Sequence, residues 1–277
     1  PTLLGKNVYN SIWYYRPFQP FYFAALYMLF KDFSFFYHFF QLVIHIANGI
    51  LLFMVFKHFL TKKVSFFLSL IFLIHPVQVE SVSFISSSGN SLFFLFGTFA
   101  LFFSLKDNEI NLKRSLIIFC LLFFSLLTRE TGFLFLIIVL LYKFLFKRRG
   151  FFMFVISGFL ITLLYIFIRL GIVGYASEKL QLAPIAWLSF TDRIINIPAI
   201  VFYYLKTFFF PSKLAIDQHW IIKTIDFQNF YLPLVIDMLF FIFLGLVGFY
   251  IFKKNKESFP AFIFFLIWLI AGLGMCL

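Results

Sequence analysis

The chain has 277 residues, of which 63% are hydrophobic and 12% charged, and its mean hydropathy is +1.01. A soluble globular chain carries about a quarter charged residues, so water is not the main solvent and a soluble enzyme domain is excluded. The net charge of +12 does not point to nucleic acid, because the basic residues fall in short clusters between apolar runs, the pattern that orients a membrane protein.

The 50 phenylalanines exceed what a core needs and carry little functional weight, since a coding bias that enriches Phe and Lys together explains them. Cys120 and Cys276 lie in apolar runs without a metal-ligand spacing, so neither a disulfide framework nor a zinc site is implied. The chain starts at Pro1 and stops at Leu277 inside an apolar run, and reads as a single membrane domain over 1–277 that is cut at both ends.

A hydrocarbon core about 30 Å thick asks for roughly 20 apolar residues per spanning helix. Taken in chain order, apolar runs at 36–56, 64–74, 92–105, 115–127, 133–146, 151–170, 234–252 and from 259 onward predict an all-α polytopic bundle of about eight spans. The run 21–30 covers about half a span and reads as an interfacial helix. Clusters at Lys57, Lys62 and Lys63, at Lys106, Lys113 and Arg114, at Lys147, Arg148 and Arg149, and at Lys253, Lys254 and Lys256 mark alternate connections as cytoplasmic. That parity places the N-terminal residues outside. It also requires 194–210, which contains Pro198 and Lys206, to lie on or dip into the outer face rather than cross.

The outer connections are then the elaborate ones, and several spans are short enough to draw His75, Glu80, Arg129 and Glu130 below the membrane surface, around a cavity open to the outside. Ionisable groups at that depth are costly and usually functional. Arg16, in Tyr15-Arg16-Pro17-Phe18, presents a permanently charged fork suited to a phosphate; the alternative is an anchor to lipid headgroups. In His75-Pro76-Val77-Gln78-Val79-Glu80 the proline ends or kinks the helix and turns His75 and Glu80 toward one cavity. There Glu80 holds an acceptor hydroxyl, assists a base or binds a cation, or else pairs with an arginine across the bundle.

Arg129 and Glu130 are adjacent and point apart, so they serve separate partners; a phosphate contact for Arg129 and a helix-capping turn are both open. Arg169 precedes the glycines of Leu170-Gly171-Ile172-Val173-Gly174, and either approaches a ligand or snorkels to headgroups. Asp217, with Gln218, His219 and Trp220, forms a polar and aromatic cluster whose Asp–His pair is a weak metal signal beside a solvated loop. His38, His45 and Asn48 are expected to make packing contacts and interhelical hydrogen bonds rather than to catalyse.

These segments in order, YRPF at 15–18, a span with His and Asn, HPVQVE at 75–80, LLTRETG at 126–132, and IRLGIVG at 168–174 followed by YLKTFFFPSKLAID at 204–217, resemble the membrane half of the transmembrane O-mannosyltransferases that carry tetratricopeptide repeats, within the GT-C class. The resemblance covers nearly the whole chain. It implies a multi-pass bundle that transfers a sugar from a polyprenyl-phosphate donor, with inversion at the anomeric carbon, to an acceptor on the outer face of a bacterial-type plasma membrane. It carries over Glu80, His75 and Glu130 as catalytic candidates, Arg16, Arg129 and Arg169 as ligands of the donor phosphate, and Asp217 as a further candidate.

The sequence departs from the pattern in three places. A first span and the outer-loop aspartate expected ahead of the YRPF segment would lie upstream of Pro1, Ser88 and Asn90 stand where relatives often show arginine and an acid, and the C-terminal repeats are not within the 277 residues. The expected partners are a polyprenyl-phosphate-linked sugar, a protein or envelope-glycan acceptor and the bilayer, with no nucleic acid. No spacing indicates a metal cofactor, and a divalent-metal requirement is left undecided. The rival readings are a transporter or flippase for a lipid-linked or anionic solute, which the absence of a paired internal repeat disfavours, and a scaffold in envelope assembly.

Overall fold

The computed structural model describes residues 15–106, 112–146, 150–173, 188–212, 214, 221–222 and 225–275. Among these, every regular element is helical, and the molecule is an all-α membrane helix bundle. Asp217 and His219 lie outside the described residues, as do Lys147, Arg148 and Arg149. The chain packs as two compact units, Pro1–Ala176 and Ser177–Leu277.

The first unit is built from α1 (Phe18–Phe30), α2 (Ser34–Phe59), α3 (Lys62–Ile74), α4 (Val79–Ser83), α5 (Ser88–Leu105), α6 (Leu112–Thr128), α7 (Phe133–Phe146) and α8 (Phe151–Val173). Short 3-10 turns at Pro76–Gln78, Ile85–Ser87 and Glu130–Gly132 join some of them. Long apolar helices cannot associate through the hydrophobic effect alone when lipid is equally apolar; close backbone approach and interhelical hydrogen bonds have to supplement it. Both are present. Gln41, His45 and Asn48 fall on one face of α2 and are buried. Gln41 Nε2 donates to the carbonyls of Ser81 (2.6 Å) and Phe84 (2.9 Å), and Asn48 Nδ2 donates to that of Ser91 (2.9 Å). His45 Nε2 lies 3.0 Å from the carbonyl of Leu73. Glycine supplies the close approach: a Cβ on Gly97 of α5 would run into the Phe135 ring of α7. His45 therefore bridges helices as expected, whereas His38, on the same helix, is exposed.

Pro76 forces its predecessor out of helical conformation, and His75 is extended (φ −65°, ψ 129°). The chain bends by 49° between Lys62–Ile74 and Pro76–Ser83. Among the described residues, four helical stretches are long and apolar enough to cross a membrane, Ser34–Phe59, Ile85–Leu105, Phe151–Ile172 and Phe227–Lys254, and the bent pair raises the number to five. Helices stand at all the expected positions, but α6 and α7 have 17 and 14 residues, fewer than the roughly 20 that an unaided crossing needs. The 13-residue α1 is likewise apolar and short, as its half-span length predicted.

Because the chain passes back and forth through α2, the bent stretch of α3 and α4, and α5 to α8, Lys57, Lys62, Lys63, Lys106, Lys113 and Arg114 collect at one end of this unit. Asp32, His75, Glu80, Arg129, Glu130 and Arg169 collect at the other.

The second unit holds α9 (Phe190–Phe209), α10 (Leu232–Lys254) and α11 (Phe259–Gly274). Ser189 caps α9 by accepting from the backbone N–H of Asp192 (3.2 Å). Buried Asn196 holds Ile222 in both directions, accepting from its N–H (2.7 Å) and donating to its carbonyl (3.2 Å). Despite its 20 residues, α9 is not among the helices apolar enough to cross, in keeping with the reading of 194–210 as a non-crossing helix. A π-helical turn, Phe227–Tyr231, leads into α10 and is capped by Asp226, whose Oδ1 accepts from the N–H of Asn229 (2.7 Å).

Candidate functional site

The centre of the candidate site is the turn between α6 and α7. Thr128 closes α6 by donating its hydroxyl to the carbonyl of Phe124 (2.7 Å), and Arg129 then leaves helical conformation (φ −159°, ψ 144°). A single 3-10 turn follows, locked by the Gly132 N–H donating to the Arg129 carbonyl (2.9 Å). Gly132 is needed because a Cβ there would lie 2.5 Å from the carbonyl carbon of Ser125, in backbone that cannot swing away. The turn fixes Glu130 so that its Oε2 accepts from Arg16 Nε at 3.0 Å, with about a quarter of each side chain exposed (27% and 28%).

Arg16 is itself held in place by the segment that carries it. The Tyr15 ring sits 6.2 Å from that of Tyr165 on α8, and Phe18 packs edge-on to Phe96 of α5 (4.9 Å) and against Phe124 of α6 (5.6 Å). One residue further, Gln19 Nε2 donates to the Ser86 carbonyl (2.6 Å), and its amide lies where a side chain on Gly89 would be. Residues 15–19 thus strap α5, α6 and α8 together at the end away from the lysine clusters.

Three polar atoms here are buried without a partner: Glu130 Oε1, Thr131 Oγ1 and the hydroxyl of Tyr165. Tyr15, whose ring adjoins that of Tyr165, is followed directly by Arg16, the partner of Glu130. Arg169 follows Tyr165 by one helical turn, on the same face of α8, and is half-buried. Arg16, Glu130, Arg169 and Tyr165 therefore share one neighbourhood at this end of the unit.

At the histidine-proline corner, His75 Nδ1 accepts from the Val77 N–H (3.2 Å), capping the turn that leads to α4. Glu80 Oε1 accepts from the Ser87 hydroxyl (3.0 Å). The acid that meets an arginine across the bundle is Glu130; Glu80 takes a serine seven residues along its own chain instead. The two regions connect through the strap, since Gln19 binds the carbonyl next to Ser87. Nearby, Ser88 Oγ and Asn90 Oδ1 at the start of α5 are buried without partners. Arg129 is half-buried in extended backbone, and Glu130's Oε2 goes to Arg16. Among the described residues, no three His, Cys, Asp or Glu side chains cluster as a metal site would require.

Sequence reasoning missed Tyr165 and Asp237. Tyr165 is 7% exposed and reads locally as one more aromatic in an apolar run. Asp237 is 6% exposed in the second unit, with Oδ1 unpartnered, and a lone carboxylate inside the 23 residues of α10 was a legible signal.

Fold and site together define a membrane-embedded helical protein with a cluster of arginines and carboxylates at one end of its bundle. Over 223 residues the chain is 28% identical to protein O-mannosyl-transferase F38B6.6 of Caenorhabditis elegans, a distant similarity that covers 78% of this chain and 31% of that protein. The chain thus spans about a third of that relative's length. No family model matches the sequence, and no solved structure matches it.

Proposed function

We propose that this chain is the membrane part of a GT-C-type glycosyltransferase that moves a mannose-like hexose from a polyprenyl-phosphate donor to a protein or glycan acceptor at the outer face of the membrane. The observation that carries the reading is the 3.0 Å pair between Arg16 and Glu130, 114 residues apart in sequence, at the end of the bundle opposite the lysine clusters. The distant similarity to a protein O-mannosyl-transferase supports the same chemistry.

In such a transfer the bond between the anomeric carbon and the phosphate oxygen breaks as the acceptor oxygen attacks. Negative charge builds on the departing phosphate. Permanently charged guanidiniums aimed at it stabilise that charge most where water is scarce, which suits Arg16, Arg169 and Arg129. Glu130, with one oxygen committed to Arg16, orients that arginine. Glu80 accepts from a hydroxyl and so suits the acceptor side, with His75 holding the bend that presents it.

The test uses full-length protein reconstituted in vesicles with labelled polyprenyl-phosphate mannose and an acceptor peptide. Glu80→Gln is expected to abolish covalent transfer while membrane insertion persists; unchanged transfer would remove Glu80 from the mechanism. Lipid-linked sugar crossing the vesicle without transfer would replace the enzyme by a flippase, and neither event would leave a scaffold.

A further inference from the structure

Glu130 Oε1, Thr131 Oγ1 and the Tyr165 hydroxyl are buried polar atoms that the fold leaves unpaired beside an ion pair it takes care to make. Burying such groups without partners is costly, and fully satisfied buried polar atoms are the rule. Tyr165 is more than nine-tenths buried, so bulk solvent does not relieve its hydroxyl. We infer that these three atoms form a subsite for vicinal hydroxyl groups and grip the hexose ring of the donor, separately from the arginines that hold its phosphate. This rests on the glycosyltransferase reading and adds to it the part of the substrate that is recognised.

The chemistry of the donor set selects the ligand. A carboxylate oxygen only accepts, while the hydroxyls of Thr131 and Tyr165 both donate and accept. A sugar ring matches that set, because each of its hydroxyls donates to one neighbour and accepts from another. A phosphate does not match, since Glu130 Oε1 would meet its charged oxygens. A metal ion is also a poor match, with one carboxylate already committed to Arg16 through its other oxygen. The Tyr15 ring, tilted 51° to that of Tyr165 at 6.2 Å, adds an aromatic wall suited to the C–H face of a pyranose. Glu130 then has two tasks, one per oxygen: Oε2 orients Arg16, and Oε1 accepts from the sugar.

Binding to full-length protein in lipid nanodiscs tests this with two probes, polyprenyl-phosphate mannose and polyprenyl phosphate without the sugar. Wild type is expected to prefer the mannosylated lipid. Tyr165→Phe removes one hydroxyl and is expected to weaken the mannosylated probe about tenfold, the order of a lost buried hydrogen bond, while leaving the bare phosphate lipid unchanged. Thr131→Val should act in the same direction with a smaller loss, and Arg16→Gln should weaken both probes. Thermal unfolding of each variant separates loss of fold from loss of contact. If wild type prefers the sugar and both hydroxyl variants keep that preference, or lose both probes equally, the subsite is overturned and the donor reading stands. If wild type binds neither probe, the donor reading fails and takes the subsite with it.

Discussion

The two ends of the first unit are made by the same helices and treat charge in opposite ways. At the lysine end, cations meet rings and backbone: Lys106 lies 4.4 Å from the centre of the Phe102 ring, buried Lys143 lies 4.6 Å from that of Phe154, and Arg114 Nη1 donates to the carbonyl of Lys106 at 3.0 Å. Tyr142 and His58 sit 3.2 Å apart there. The connection between α2 and α3 is only Leu60–Thr61 long. At the opposite end stand all the acids described in this unit, Asp32, Glu80 and Glu130, with three short 3-10 turns and a strap that brings in Arg16. One end is arranged to fix orientation, since cations over phenylalanine faces remain near an interface without demanding a carboxylate. The other brings a guanidinium and a carboxylate from distant segments together, Arg16 with Glu130, an arrangement that fits charge put to use. The phenylalanines, which composition alone explains as bias, thus also have a physical role as partners for ammonium groups.

The contrast breaks most sharply at Gly132. Gly132→Ala sets a Cβ against the Ser125 backbone and should destabilise the protein by about 2 to 3 kcal/mol, the upper range for overpacking, seen as a lower midpoint of thermal unfolding and loss of transfer. Gly171→Ala, where nothing lies within 4 Å, is the matched control and should not destabilise. Next in size is Arg16→Ala. Leaving Glu130 part-buried and unpaired should cost about 1 to 2 kcal/mol, below the range for fully buried pairs because both partners are about a quarter exposed. A double-mutant cycle with Glu130→Gln measures the coupling, and additive effects would mean that the pair contributes nothing. The smallest effect on chemistry is expected at the lysine end. Lys62→Gln combined with Lys63→Gln should leave transfer by correctly inserted molecules within about twofold of wild type, while lowering the fraction inserted in that orientation, as read by protease protection.

Much of the helical architecture was legible because its causes are local. A run such as 36–56 has too little polar content to be anything but a helix in lipid, and Pro76 dictated where α3 ends, through the steric demand it places on His75. The short α1 followed from length in the same way, whereas the expectation that 194–210 does not cross came from the parity of the lysine clusters, and α9 is indeed not among the helices apolar enough to cross. The site was legible only in its ingredients. Arg16, His75, Glu80, Arg129, Glu130 and Arg169 stood out as charges or titratable groups in apolar surroundings, but their pairings did not, and Glu80 was offered an arginine that Glu130 in fact holds.

The sequence by itself determined the solvent, the helices and the alternation of lysine-rich connections with the rest, because hydropathy and proline sterics act over a few residues and need no partner. Tertiary structure alone decided that Arg16 closes on Glu130 across 114 residues, that Gln19 ties the strap to the Ser86 carbonyl, and that Tyr165 packs against Tyr15 beside Arg16. Those outcomes depend on which helix faces meet, and that is set by glycine-permitted close approaches and interhelical hydrogen bonds between residues that no local pattern relates.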